Sequence, residues 1–135
     1  KDKNIVAVTG PDGPIKKNLK NIIFYSFLWK MINFGRKYLK LYGTGGTNTA
    51  IRKKTFIEIG GYKDWPHSDD IEIGFRLKKK GKIIFDKDLY VLLSTRRLEK
   101  QGYLKTLFTW TKGLVYILLG KELKSKKQYF KLNYD

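Results

Sequence analysis

Cysteine is absent from this 135-residue chain, and histidine and methionine occur once each. The first absence excludes disulfides and thiol chemistry and leaves the redox compartment open. With His67 alone, a zinc site built on His and Cys is not expected. Acidic residues are also scarce, with 12 Asp and Glu against 29 Lys and Arg for a formal net charge of +17. No uninterrupted run approaches the ~20 apolar residues that span a bilayer. No secretory-signal pattern, internal repeat or low-complexity linker is visible. Lys1 opens the chain and Met31 is its only methionine, so a processed or partial polypeptide is expected.

What is present suffices for a folded domain. Apolar residues make up 41% and aromatics 15%, which excludes a disordered chain. One domain over 1–135 would bury roughly 65% of its unfolded surface.

The charge is unevenly spread. Between Gly13 and Ile57 lie ten basic residues and no acid, whereas seven of the twelve acids fall between Glu58 and Asp88. So basic a surface attracts polyanions: nucleic acid, anionic lipid headgroups, or a diphosphate. Charges that are merely solvated remain the alternative.

Strands alternate with helices, the pattern of an α/β layer structure. Asn4 to Thr9 reads as a buried strand, and Gly10-Pro-Asp-Gly-Pro14 as turns. Residues 17 to 41 read as a long apolar helix broken by Gly43 to Gly46. A strand over 47–51 and a helix over 53–59 follow, the latter ended by Gly60-Gly61. Ser68 is suited to cap a helix running to Lys80 with Gly81 as its stop. Strands are expected over 82–85 and 90–94, and a last helix from about Gly102. In that helix Leu104, Leu107, Phe108, Thr111, Val115, Leu118 and Leu119 form one apolar stripe.

The run Ile22 to Phe34 leaves two readings open. A helix apolar all round is buried against the rest of the protein. Alternatively Tyr25, Trp29, Lys30, Arg36, Lys37 and Lys40 supply the aromatics and cations of an interfacial helix.

Three motifs occur in order: Gly43-Thr-Gly-Gly-Thr-Asn-Thr-Ala-Ile-Arg-Lys53, then Gly60-Gly61-Tyr62, then Ser68-Asp69-Asp70 leading to Arg76-Leu77. Together they resemble the second half of a family 2 glycosyltransferase of the GT-A type. The resemblance covers nearly the whole chain. It implies a partial GT-A fold, a mixed sheet flanked by helices, forming the acceptor-side half of an inverting transferase. The donor would be a nucleotide sugar and the acceptor a glycan or polyprenyl-linked sugar. The expected location is cytoplasmic and peripheral at the inner face of the cell membrane, with an anionic membrane surface as a partner.

The acids carry the proposed chemistry. Transfer to an alcohol needs a carboxylate within reach of the acceptor hydroxyl proton. By position in the family motif the base is Asp70, while Asp69 stands where relatives have Glu. A helix start would lower the pKa of such a carboxylate. Gly45 and Gly46 can expose backbone N–H groups to a substrate. In the resemblance Thr47 and Asn48 line the substrate pocket, and Arg52 and Lys53 support the loop. Trp65 offers an aromatic face for a sugar, and His67 a hydrogen-bonding neighbour. Arg96 and Arg97 match an Arg-Arg that grips a diphosphate.

Two family elements are missing. No Gln-x-x-Arg-Trp element is present, so single-sugar transfer is expected. The Asp-x-Asp metal motif of the nucleotide-binding half is also lacking, because Asp86-Lys-Asp88 lies on the wrong side of the acidic pair. Mg²⁺ or Mn²⁺ would therefore act only in the full-length enzyme, and this chain alone would bind none and be inactive. Dimers would reflect surfaces the missing half covers. The rival readings are a basic nucleic-acid-binding protein, for which no specific signature is present, and a membrane-surface module without catalysis.

Overall fold

The computed structural model describes residues 2–122, so the single unit expected over 1–135 extends past them at both ends. The expectation of a mixed sheet flanked by helices holds at this level. β1 (Ile5–Thr9) is the middle strand of a three-stranded sheet in the order β3-β1-β4. It runs antiparallel to β3 (Thr49–Ile51) and parallel to β4 (Lys82–Phe85). The strand is covered on both faces, its adjacent Val6 and Ala7 both buried and joining Ile73 and Leu77 of α3 (Asp69–Lys78) in the core. Ile51, Phe56, Ile59 and Ile83 close around this cluster. A parallel β1–β4 pair requires a crossover, and α3 is its last leg, packing on both strands.

The Gly-Pro-rich segment expected to be turns instead contains β2 (Asp12–Pro14), which pairs in parallel with β5 (Val91–Leu93). Pro14 can end the strand because the bonds to β5 run through its neighbours at alternate positions, Pro11 O accepting the Val91 N–H at 3.1 Å, so no donor is needed from it. Ile15 resumes donation, to Leu93 O at 2.9 Å.

The long apolar segment forms α1 (Leu19–Tyr38). Asn18 starts it, its side-chain oxygen accepting the Asn21 N–H at 2.8 Å, a cap the sequence reading missed. α1 rests on β4 through Trp29, whose ring lies 5.1 Å from Phe85, and through Arg36, stacked 4.0 Å from the same ring.

α2 (Lys53–Glu58) ends as expected at Gly60-Gly61. Gly60 takes a left-handed φ of 76° and donates to Ile57 O, and Gly61 donates to Phe56 O at 2.9 Å. This paired pattern satisfies carbonyls that the helix end would otherwise orphan.

Two expected caps differ. Ser68 precedes α3, yet at φ 62° its side chain makes no capping bond. Gly81 does not end α3 by a left-handed turn; Lys80 and Gly81 both donate back to Leu77 O. Its missing side chain serves packing, since a β-carbon there would overlap Asn4 O and come within 2.7 Å of Val6 Cγ1.

A short helix not anticipated, α4 (Arg96–Gln101), precedes α5 (Tyr103–Leu118). The Gly102 φ of 89° allows the sharp break between them.

Candidate active site

The glycine loop and the start of α3 are strapped together at one residue. Gly46 N–H donates to Asp70 Oδ2 at 3.1 Å. Thr44, which is buried, donates its hydroxyl to the Asp70 carbonyl at 2.5 Å and its N–H to the same oxygen at 3.4 Å. Asp70 Oδ1 accepts the Ile71 N–H at 2.8 Å. The loop can lie this close because α3 carries Gly74 beside it. A β-carbon at 74 would overlap the Tyr42 carbonyl and sit 3.1 Å from Thr44 N.

This environment reverses the expected electrostatics of Asp70. Burial pushes its carboxyl above the ordinary value, and the neighbouring Asp69 charge pushes the same way. The N–H bonds from Gly46 and Ile71 oppose the rise without cancelling it. Desolvation outweighs the helix start, so the group is a better base than its position on α3 implied. Tyr62 lies close enough for burial, then Asp69 and Asp70, to raise its phenol. It therefore keeps its proton beside the acids and can donate it.

His67 immediately precedes Ser68 and the acidic pair. Its Nδ1 is 3.1 Å from Ser68 Oγ. Burial pushes the ring below its ordinary value of 6.5, helped by Lys112 and Arg97 and opposed by Asp69. The imidazole is neutral at pH 7. Lys112 belongs to α5 and was not singled out in the sequence, because its partner Gly113 is what brings α5 onto Ser68 and His67.

The structure thus gathers Gly46, Asp69, Asp70, His67 and Arg97 from the sequence reading, and adds Thr44, Tyr62 and Lys112. Gly45 accepts the Asn48 N–H at 3.0 Å and the Thr49 hydroxyl at 2.7 Å, closing the loop. Thr47 is exposed at its tip. Asn48 faces inward as a clamp: its amide nitrogen donates to Pro11 O at 3.1 Å and Leu89 O at 2.6 Å. Arg96 turns back on Ser94 Oγ at 3.1 Å. Trp65 is half-buried, with Lys63 Nζ 5.9 Å from its ring. Arg52 supports the start of β1, through Ile5 O and Asp2 O, in place of the glycine loop.

The Arg76 of the third motif is structural. Its guanidinium forks onto buried Glu72 at 2.6 to 2.9 Å and reaches Ile59 O at 2.6 Å and Gly61 O at 2.8 Å. It ties the Gly-Gly turn to α3. Two of the three motifs are therefore bound to each other by Arg76, and the first is bound to α3 by Asp70.

An open cleft of about 240 Å³ between α1 and β2 shares no lining residue with this site. Asp12, Gly13, Tyr25, Trp29 and Tyr90 line it. Burial and then Asp12 push the Tyr25 phenol up to about 12.

Among the described residues, no group of three or more His, Cys, Asp or Glu is placed to hold a metal ion. Asp86 and Asp88 form a local turn, Asp86 Oδ1 accepting the Asp88 N–H at 3.0 Å. Comparison with protein-family models, curated proteins and solved structures found no match to this chain.

Proposed function

We propose that this chain is the acceptor-side, base-bearing half of an inverting GT-A glycosyltransferase, with a nucleotide sugar as donor and a glycan or polyprenyl-linked sugar as acceptor. The observation that carries this reading is the Asp70 carboxylate, held by the Gly46 N–H of a glycine loop and raised in pKa by burial. A half-buried carboxylate beside exposed loop residues suits the removal of a proton from an incoming hydroxyl.

In the reaction the acceptor hydroxyl gives its proton to Asp70 as its oxygen attacks the anomeric carbon. The bond from that carbon to the nucleoside diphosphate breaks, and its electron pair leaves with the diphosphate. Arg97 and Lys112, near His67, offer positive charge on the side where the diphosphate leaves. The resemblance places the Mg²⁺ or Mn²⁺ and the donor's nucleotide in the N-terminal half of the enzyme, where the metal would offset charge on the leaving diphosphate.

The test is turnover of a panel of nucleotide sugars by the protein carrying its upstream sequence, wild type beside Asp70→Asn. Turnover that falls by about 10³ or more in the variant, with donor binding retained, supports the assignment. A variant with full activity, or a protein that uses no nucleotide sugar, removes it.

A further inference from the structure

Both long helices are inside out. α1 buries Asn21 and Gly35, with Asn21 Oδ1 accepting the Tyr103 hydroxyl of α5 at 2.7 Å. α5 buries Thr106 and Gly113. At about 100° per residue, the opposite face of α1 carries Leu19, Ile23, Phe27, Phe34 and Tyr38, all exposed. The opposite face of α5 carries Leu104, Phe108, Val115, Leu118 and Leu119, also exposed, with Leu104 at 83% and Phe108 at 72%. The stripe that the sequence reading identified in the last helix thus faces outward. Tyr25 and Trp29, the aromatics of the interfacial reading, face inward onto the cleft and Phe85. The two helices touch through Phe24, whose ring is 5.1 Å from Tyr103 and 6.5 Å from Trp110.

An exposed apolar stripe on a charged helix calls for a partner, and charge selects which. Lys20, Lys30 and Lys37 are exposed and fall on the same arc as the α1 stripe; Lys105 and Lys112 border that of α5. Neither helix contains an acidic residue. The like charges disfavour pairing of two copies through these faces. Apolar side chains amid lysines match a surface that is anionic outside and hydrocarbon within.

The geometry points to the outward faces of α1 and α5 as a docking surface for an anionic lipid bilayer, the helices lying in the headgroup region with Phe27, Phe34, Leu104 and Phe108 inserted. No helix among the described residues is long and apolar enough to cross a membrane, so the contact lies along the surface. This docking is independent of the sugar-transfer reading.

The test is co-sedimentation of the purified protein with vesicles of phosphatidylcholine containing about a quarter phosphatidylglycerol, and with phosphatidylcholine alone, at low and high salt. Strong binding to the anionic vesicles is expected, weakened by salt. The Phe27→Ser, Phe108→Ser double variant is expected to bind at least about tenfold less tightly. Both side chains are exposed, so its circular dichroism should match wild type; Leu104→Ser is the substitute if it does not. Asp70→Asn should bind vesicles like wild type, which separates failure of docking from failure of the transferase assignment. The proposal is overturned if anionic vesicles do not bind. It is equally overturned if binding ignores the apolar substitutions, or if light scattering shows a dimer that the Phe27→Ser, Phe108→Ser variant abolishes.

Discussion

Gly113 of α5 lies directly against Ser68, so that any β-carbon at position 113 would overlap the Ser68 hydroxyl and stand 3.1 Å from His67 Nδ1. Ser68 is one of two non-glycine residues with positive φ among those described, and it immediately precedes Asp69 and Asp70. α5 therefore holds a strained turn whose geometry sets the direction of the acidic pair. Gly113→Ala should cost about 1–3 kcal/mol from overpacking, read as a lower urea midpoint. In the protein carrying its upstream sequence it should also lower kcat more than it changes KM, because the base moves while the rest of the site stands. A variant with unaltered kcat would show that the acids are positioned by α3 alone.

Asp70 links stability to pH in a direction opposite to a salt-bridged acid. Its folded-state pKa is raised, chiefly by burial. A raised carboxylate favours the folded state most when protonated, below its unfolded value near 4. That contribution is lost as pH rises through the folded value. Asp70→Asn should accordingly raise the melting temperature at pH 7 relative to wild type, and the advantage should vanish below about pH 4. Turnover runs the other way, since the base must be ionised. The acid limb of the kcat/KM profile should lie above the range of an ordinary carboxylate and disappear with the activity of the variant. A limb in the ordinary range would remove Asp70 as the titrating group.

Element positions were legible in the sequence wherever apolar periodicity and glycine breaks agreed, as in β1, α1, α2, α3 and α5. What escaped was decided by tertiary contact. Asp12 to Pro14 has no strand propensity and becomes β2 because β5 lies alongside. The left-handed φ of Ser68 depends on α5, 45 residues downstream and invisible in local pattern. Asp69, Asp70, His67 and the glycine loop could be found from motif order. Lys112 could not, because nothing local marks it, and Thr44 stood within the glycine motif with nothing to reveal its bonds to Asp70 O. The direction in which the α5 stripe faces was likewise unreadable, since periodicity identifies a stripe and not what covers it.

Asn48 separates a clamp from a ligand-binding role. Both hydrogens of its side-chain amide are committed, to Pro11 O and Leu89 O, joining the ends of the segments that lead into β2 and β5. Asn48→Ala should cost about 0.5–1.5 kcal/mol by removing the donor shared by the two carbonyls, Pro11 O keeping the Val91 N–H at 3.1 Å. Limited proteolysis near Leu89 should accelerate in step. If Asn48 instead contacts substrate in the complete enzyme, KM would rise with little loss of stability, and the thermal melt beside the kinetics distinguishes the two.

Arg76 offers the most stringent check on the fold. Glu72 is 6% exposed, and its charge is compensated by the Arg76 fork at 2.6 to 2.9 Å, with Lys63 further away at 3.5 Å. The same guanidinium closes the Gly60-Gly61 turn through two carbonyls. Removing one partner of a buried pair costs about 3–5 kcal/mol, so Arg76→Ala should lower the urea midpoint sharply, while Glu72→Gln with Arg76 intact should cost less. Arg76→Lys should recover little, because a single ammonium cannot reproduce a fork that serves a carboxylate and two backbone oxygens at once. A lysine variant as stable as wild type would mean that charge neutralisation, and not the planar geometry, ties the turn to α3.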